Sequence, residues 1–145
     1  LRPSMLDHGV YPALEWQARE FEERTGTGCR VTCNDEEASL DMEQSTALYR
    51  VFQEALTNVA KHARASRVTV ELFISASAVT LEVRDDGCGL AIGALGKRES
   101  FGVRGMLERI RGLGGWLDLA GQPGEGTTVM VSIPRRKPKS PKGGT

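Results

Sequence analysis

The chain has 145 residues, of which 39% are hydrophobic, enough for one soluble domain with a real core. Nineteen basic and nineteen acidic residues cancel, so nothing in the net charge points to direct nucleic-acid binding or an anionic membrane. No apolar run approaches the ~18 residues of a spanning helix, no signal peptide is visible, and three unpaired-looking cysteines favour reduced thiols, so a cytoplasmic fragment without membrane contact is expected.

The chain opens on Leu1 rather than Met, which suggests a piece of a longer parent. Residues 1–9 read as a connector, because Pro3 and Gly9 discourage a continuous helix. Pro12 suits a first helical turn, and Leu14, Trp16, Ala18 and Phe21 carry that helix to Arg24, with Gly26 closing it. Alternation from Cys29 to Cys33 predicts a short strand, residues 34–40 an acidic loop, and Asp41 an N-cap.

A long helix follows, to about Ala63. Leu48, Phe52, Ala55, Leu56 and Val59 form its core stripe. Glu54, Asn58, Lys61 and His62 sit at i, i+4, i+7 and i+8 and form a second stripe. Asn offers a neutral oxygen to Mg²⁺ and Lys a point charge to phosphate, so this stripe is a workable phosphate and metal surface. The same pattern also describes an ordinary solvated face with one Glu-to-Lys pair.

Val68, Val70, Leu72 and Ile74 alternate, as do Val79, Leu81 and Val83, which predicts an antiparallel hairpin turned at residues 75–78. Asp85-Asp86-Gly87-Cys88-Gly89 ends the second strand. An Asp there can accept from an adenine amino group while glycines admit the ring and allow φ > 0; by itself such a segment is also an ordinary turn. Residues 90–101 have no firm period and read as a mobile loop. Val103, Met106, Leu107, Ile110 and Leu113 trace a helix that Gly102-Val103-Arg104-Gly105 opens and Gly114-Gly115 ends. Free N–H groups at its start would suit phosphate, or the glycines simply relieve a helix start. Residues 116–119 and 127–133 are two more strands, and Gly126-Thr127 places a hydroxyl at the head of the last. Residues 135–145 carry five Lys or Arg and two Pro and read as a disordered basic tail. The sum is an α+β fold over residues 10–134, a two-layer α/β sandwich with a mixed sheet and helices on one face.

In this order, Phe52-Gln53-Glu54-Ala55-Leu56-Thr57-Asn58-Val59-Ala60-Lys61-His62-Ala63, Asp85-Asp86-Gly87-Cys88-Gly89, Gly105-Met106-Leu107-Glu108-Arg109-Ile110 with Leu113-Gly114-Gly115, and Pro123-Gly124-Glu125-Gly126-Thr127 resemble the ATP-binding fold shared by gyrase, Hsp90, histidine kinases and MutL. The chain looks most like the sensor histidine kinases of the nitrate-sensor and DesK type. Val103 and Leu107 stand where relatives carry Leu or Ile and Arg, both mild departures.

The resemblance implies ATP and Mg²⁺. Asn58 would ligate the metal, and Glu54 would organise its water, with Lys61 and His62 near the phosphates. Glu54, Asn58 and Lys61 would be the catalytic group. Asp85 would bind the adenine amino group, with Thr127 assisting and Gly87 and Gly89 shaping the pocket. Gly102, Val103, Arg104 and Gly105 would cover the phosphates as part of a lid. Implied partners are a dimerisation and phosphoacceptor domain in a homodimeric parent, which could be membrane-anchored, and a response regulator with a helix-turn-helix output domain. The acceptor His is absent: His8 lies in the connector and His62 on the nucleotide face. Two other readings compete. One is an ATP-hydrolysing conformational module with Glu54 as general base; the other is a non-catalytic module used for dimer contacts or regulation.

Overall fold

The computed structural model describes residues 3–87, 100–121 and 124–135; for residues 3–5, 62–63 and 100–104 only the backbone is described. A 3₁₀ turn, Pro3–His8, leads into α1, Val10–Thr25. The expected connector is thus partly built into the domain, because Leu6 and Val10 are both buried in the core. Gly26 ends α1 in the left-handed conformation, its N–H donating to the Glu22 carbonyl. The Glu22 carboxylate accepts from the Cys29 N–H at 2.8 Å, tying the helix end to β1, Gly28–Cys33.

Asp41 caps α2, Met42–Asn58, by accepting from the Gln44 N–H at 2.8 Å, a contribution of about 1 kcal/mol. The helix does not stay α-helical to Ala63. Val59–Ala63 form a π turn, closed by Arg64 in the left-handed region at φ 51. Beyond Asn58 the i→i+5 winding therefore displaces Lys61 and His62 from the even stripe that α periodicity predicts.

The hairpin strands are β2, Arg67–Ile74, and β3, Ala78–Asp85. Helix α3 spans Ser100–Gly112, beginning two residues before the expected start at Gly102. Strands β4, Trp116–Gly121, and β5, Thr127–Pro134, complete a five-stranded sheet in the order β1-β2-β3-β5-β4. Only the β1–β2 pair is parallel, joined by the crossover that contains α2; the other three pairs are antiparallel. The mixed sheet and one-sided helical layer are as expected.

Period-two alternation sends Val68, Val70, Leu72, Val79, Leu81, Val83, Val131 and Ile133 to the helical side, where all are buried. Leu48, Phe52, Ala55, Leu56 and Val59 meet them, the stripe read from the sequence. On the other face Phe73 is 58% and Trp116 51% exposed, so that face is not covered by a helix among the described residues. Gln44, buried at the start of α2, donates to the Pro134 carbonyl at 2.6 Å and fixes the helix to the end of β5.

Gly115 joins α3 to β4 where the chain brushes β5: an added Cβ would collide with the Ser132 carbonyl oxygen and Ile133 Cα. Gly112, inside α3, would place a Cβ in open space. Gly115→Ala should lower stability by about 1–3 kcal/mol in urea unfolding, whereas Gly112→Ala should be neutral or raise it by up to ~1 kcal/mol. Equal effects at the two positions would contradict this β4–β5 packing.

Candidate functional site

The site begins with two adjacent carboxylates of opposite environment. Asp85 continues the core-facing alternation of Val79, Leu81 and Val83, so it points to the helical side and is only partly exposed. Burial pushes its carboxyl pKa up, and the backbone amides of Gly87 and Thr127 pull the other way by donating to it. Asp86 turns to the opposite face and is consumed structurally. It accepts from the Ser66 N–H at 2.9 Å, the Ser66 hydroxyl at 2.7 Å and the Arg67 N–H at 3.0 Å. The Ser66 hydroxyl leads the contacts that hold its pKa below the usual carboxylate range.

Asp85 pairs in register with Thr127 of β5. Gly126 makes that closeness possible: it has φ +83, and an added Cβ would strike the Asp85 carbonyl oxygen. Thr127 shares the core side of β5 with Val129, two residues and ~6.8 Å along the strand. Val129 and its partner Leu119 line a small cavity of ≈ 20 Å³ with Glu54, Asn58 and Met106. That volume admits about one water molecule. The same sheet face thus runs from the cavity to Thr127 and Asp85.

Two buried polar atoms at this end lack any hydrogen-bond partner among the described residues: Asn58 Oδ1 and Thr127 Oγ1. Glu54 stands one helical turn before Asn58, and Lys61 is exposed on the π turn. The structure therefore brings Glu54 and Asn58 together, and Asp85, Gly87 and Thr127 together, at one end of the helix–sheet interface. The side chains of His62, Val103 and Arg104 lie outside the described residues, as do Gly89, residues 90–99 of the expected 90–101 mobile loop and the expected tail beyond Arg135, while residues 100–101 of that loop are helical instead.

Because α3 starts at Ser100, Val103, Arg104 and Gly105 lie inside its first two turns rather than at its free N-terminus. Their amides enter the helical ladder, so the unbonded donors belong to the residues just before. Gly105 is exposed and an added Cβ would meet nothing among the described residues, so no packing among them accounts for a glycine there. Residue-by-residue reading missed the apolar lining formed by Val51, Met106, Leu119 and Val129; the odd-numbered alternation of β5 was its available signal.

Of the two described cysteines, Cys29 is buried and its thiol is pushed up to about 12 by burial. Among the described residues no three His, Cys, Asp or Glu side chains converge as a metal cage, and no helix is long and apolar enough to cross a membrane.

Comparison with known proteins bears on this geometry. Residues 43–137 match the family described as histidine kinase-, DNA gyrase B-, and HSP90-like ATPase. The chain is 38% identical over 138 residues to the signal transduction histidine-protein kinase/phosphatase UhpB of Salmonella typhimurium, covering 94% of this chain and 27% of that protein. It is 36% identical over 134 residues to the kinase/phosphatase DegS of Brevibacillus brevis, covering 92% and 34%. The sensor histidine kinase MctS of Rhizobium johnstonii is 36% identical over 138 residues, covering 93% and 30%. The chain thus spans about a third or less of the curated relatives it matches. The histidine kinase domain of the blue-light activated kinase from Erythrobacter litoralis EL346 superposes with a TM-score of 0.68 at 25% identity, covering 87% of this chain and 61% of that one. The chain belongs to the histidine kinase-, DNA gyrase B- and HSP90-like ATPase family, as an ATP-binding catalytic domain of the sensor histidine kinase type.

Proposed function

We infer that this domain holds Mg²⁺·ATP between the end of α2 and the β3–β5 strand ends and donates the γ-phosphoryl group to a histidine on a separate dimerisation helix, for relay to a response regulator. The observation that carries the reading is the pair of buried atoms without partners among the described residues, Asn58 Oδ1 and Thr127 Oγ1, the latter in register with a half-buried Asp85. Such atoms are costly unless a ligand satisfies them.

The residues fit the implied metal. Asn58 supplies a buried neutral oxygen with no hydrogen-bond partner among the described residues. In the absence of a protein cage among the described residues, the ion would draw its other ligands from phosphate oxygens and water. When bound it neutralises charge on the transferring phosphoryl group. Glu54 would orient water beside it, and Lys61 would attract the phosphates as a point charge. Asp85 would accept from the adenine amino group, with the Thr127 hydroxyl alongside. An imidazole nitrogen of the acceptor would attack the γ-phosphorus, and the bond to the bridging oxygen would break to release ADP. The protein's part is positioning and electrostatics.

Asp85→Asn separates recognition from stability. With its folded pKa raised, the ionised Asp85 opposes folding above its ordinary titration range, and that penalty fades as pH falls through the raised value. The neutral amide removes the penalty, so thermal stability near pH 7 should hold or rise. The preference for ATP over GTP should fall, because an amide can present a donor where adenine needs an acceptor. A preference that survives the substitution places adenine recognition elsewhere.

Asn58→Ala removes a buried polar atom that has no partner among the described residues, so it should leave the fold intact. The metal-dependent part of ATP affinity should drop by about 1–3 kcal/mol, read by calorimetry with and without EDTA. An EDTA-insensitive affinity, or one unchanged in the variant, would remove the metal role from Asn58.

The function itself is tested with radiolabelled ATP. The chain alone should acquire no phosphohistidine, and a separate helix pair bearing an acceptor His should acquire acid-labile, base-stable label when the chain is added. Label on the chain by itself would overturn the division of roles.

A further inference from the structure

The open face of the sheet, opposite the helices, carries two contrasting rows. In register across the strands, Phe73 of β2 pairs with Thr80, Thr80 with Ser132 of β5, and Ser132 with Trp116 of β4. Phe73 and Trp116 are large, exposed and apolar, and between them the Thr80 hydroxyl donates to the Ser132 hydroxyl at 3.1 Å. Two residues further along, Glu71 pairs with Glu82, Glu82 with Met130, and Met130 with Asp118. Glu71 and Glu82 are like charges placed directly opposite, which costs stability unless a cation lies over them. None of the three carboxylates has an ion-pair partner among the described residues. Arg84 stands two residues from Glu82 on the same face of β3 and forms no ion pair with it.

The segment that follows β5 carries the complement. The Arg135 N–H donates to the Ser77 carbonyl at 2.8 Å, and its guanidinium donates to the carbonyls of Ser75 at 2.8 Å and Ser39 at 3.4 Å. That cation is occupied, and it holds the chain at the β2–β3 turn, beside Phe73. Residues 136–142, which lie outside the described residues, read Arg136-Lys137-Pro138-Lys139-Ser140-Pro141-Lys142, four cations and two prolines without a carboxylate. Proline has no N–H, so this segment is a poor added strand for either sheet edge. Extended proline-containing chain instead packs its rings on exposed aromatic side chains. The reach suffices: seven residues span up to ~23 Å at ~3.3 Å each, and the acidic row lies ~17 Å back from Arg135, five strand residues away at Met130.

We propose that residues 136–142 fold back over the open sheet face, setting their prolines on the Phe73–Trp116 row and their lysines against Glu71, Glu82 and Asp118. Exposed ion pairs are individually weak, but tethering supplies the high local concentration that populates several together. The contact is therefore salt-sensitive. It lies on the opposite side of the sheet from Asp85 and Thr127, and it does not depend on the nucleotide reading.

The experiment follows Trp116 in the full chain, with Trp16→Phe removing the other indole. Arg136→Gln, Lys137→Gln, Lys139→Gln and Lys142→Gln together form one variant, and Glu71→Gln with Glu82→Gln the other. Each variant, and separately ~1 M salt with its Debye length of ~3 Å, should raise acrylamide quenching of Trp116 by about 1.5-fold or more. Combining the two variants should give no further rise, because both remove the same contact. Removing the opposed Glu charges should leave the fold as stable as before or slightly more so. Carbodiimide should couple Lys137, Lys139 or Lys142 to Glu71, Glu82 or Asp118 within one chain, independently of protein concentration. Unchanged quenching in either variant overturns the proposal. Couplings that form only between chains also overturn it, by assigning the face to a second copy. Couplings confined to Asp35, Glu36 or Glu37 do the same, by placing the segment on the acidic loop near Ser39. ATP affinity should stay within about twofold in both variants; its loss in the first would assign those cations to the nucleotide and overturn the docking, while the phosphoryl-transfer reading would stand.

Discussion

The rest of the structure depends on how α2 is buried across the sheet. Leu48, Phe52, Ala55 and Leu56 are almost wholly buried against Val70, Leu81, Val83 and Val131, the Leu and Phe side chains each worth roughly 1.5–3 kcal/mol when removed from water. Asp41 caps one end, and Gln44 ties the same end to β5. With position and rotation fixed, the helix has no freedom to turn Asn58 outward, and its side-chain oxygen stays buried without a bond. The stability gained on the apolar stripe offsets that unfavourable atom, an arrangement expected where a ligand completes the site.

The paired aspartates show how one backbone periodicity produces two electrostatic fates. Successive strand residues face opposite ways, so Asp85 enters the interior and Asp86 meets three donors at the surface. Burial disfavours charge on the first, and hydrogen bonds favour it on the second. Asp86 thereby ties the start of β2 to the end of β3, and Asp85 is left with the acceptor capacity that its backbone donors do not use.

Backbone proximity sets the mouth of the site. Gly126 lies so close to the Asp85 carbonyl that no side chain fits, and Gly121 approaches the Gly126 carbonyl from β4. Together they draw Thr127 against Asp85 in register. The π turn after Asn58 belongs to the same local design. It changes the winding immediately after the buried amide and delivers the chain, through Arg64 at positive φ, to β2. Such turns recur at functional sites because they re-aim side chains that regular winding would place elsewhere.

Much of this was legible from residue order. The apolar spacing in 48–59 set the buried face of α2, the alternations in 68–74 and 79–83 set the hairpin, and Asp41 and Gly26 marked helix ends, because period and capping are local properties of the chain. The motif order also carried the family. What local pattern could not decide was long-range: which strands neighbour one another, that β1 runs parallel to β2, and that β5 inserts between β3 and β4. Nor could α-periodicity foresee the π turn that moves Lys61 and His62, or a helix start at Ser100. The lone oxygens of Asn58 and Thr127, and the small cavity beside Met106, emerge only when α2, α3 and the strand ends are assembled, since burial and missing partners are relations between distant segments and not properties of any one of them.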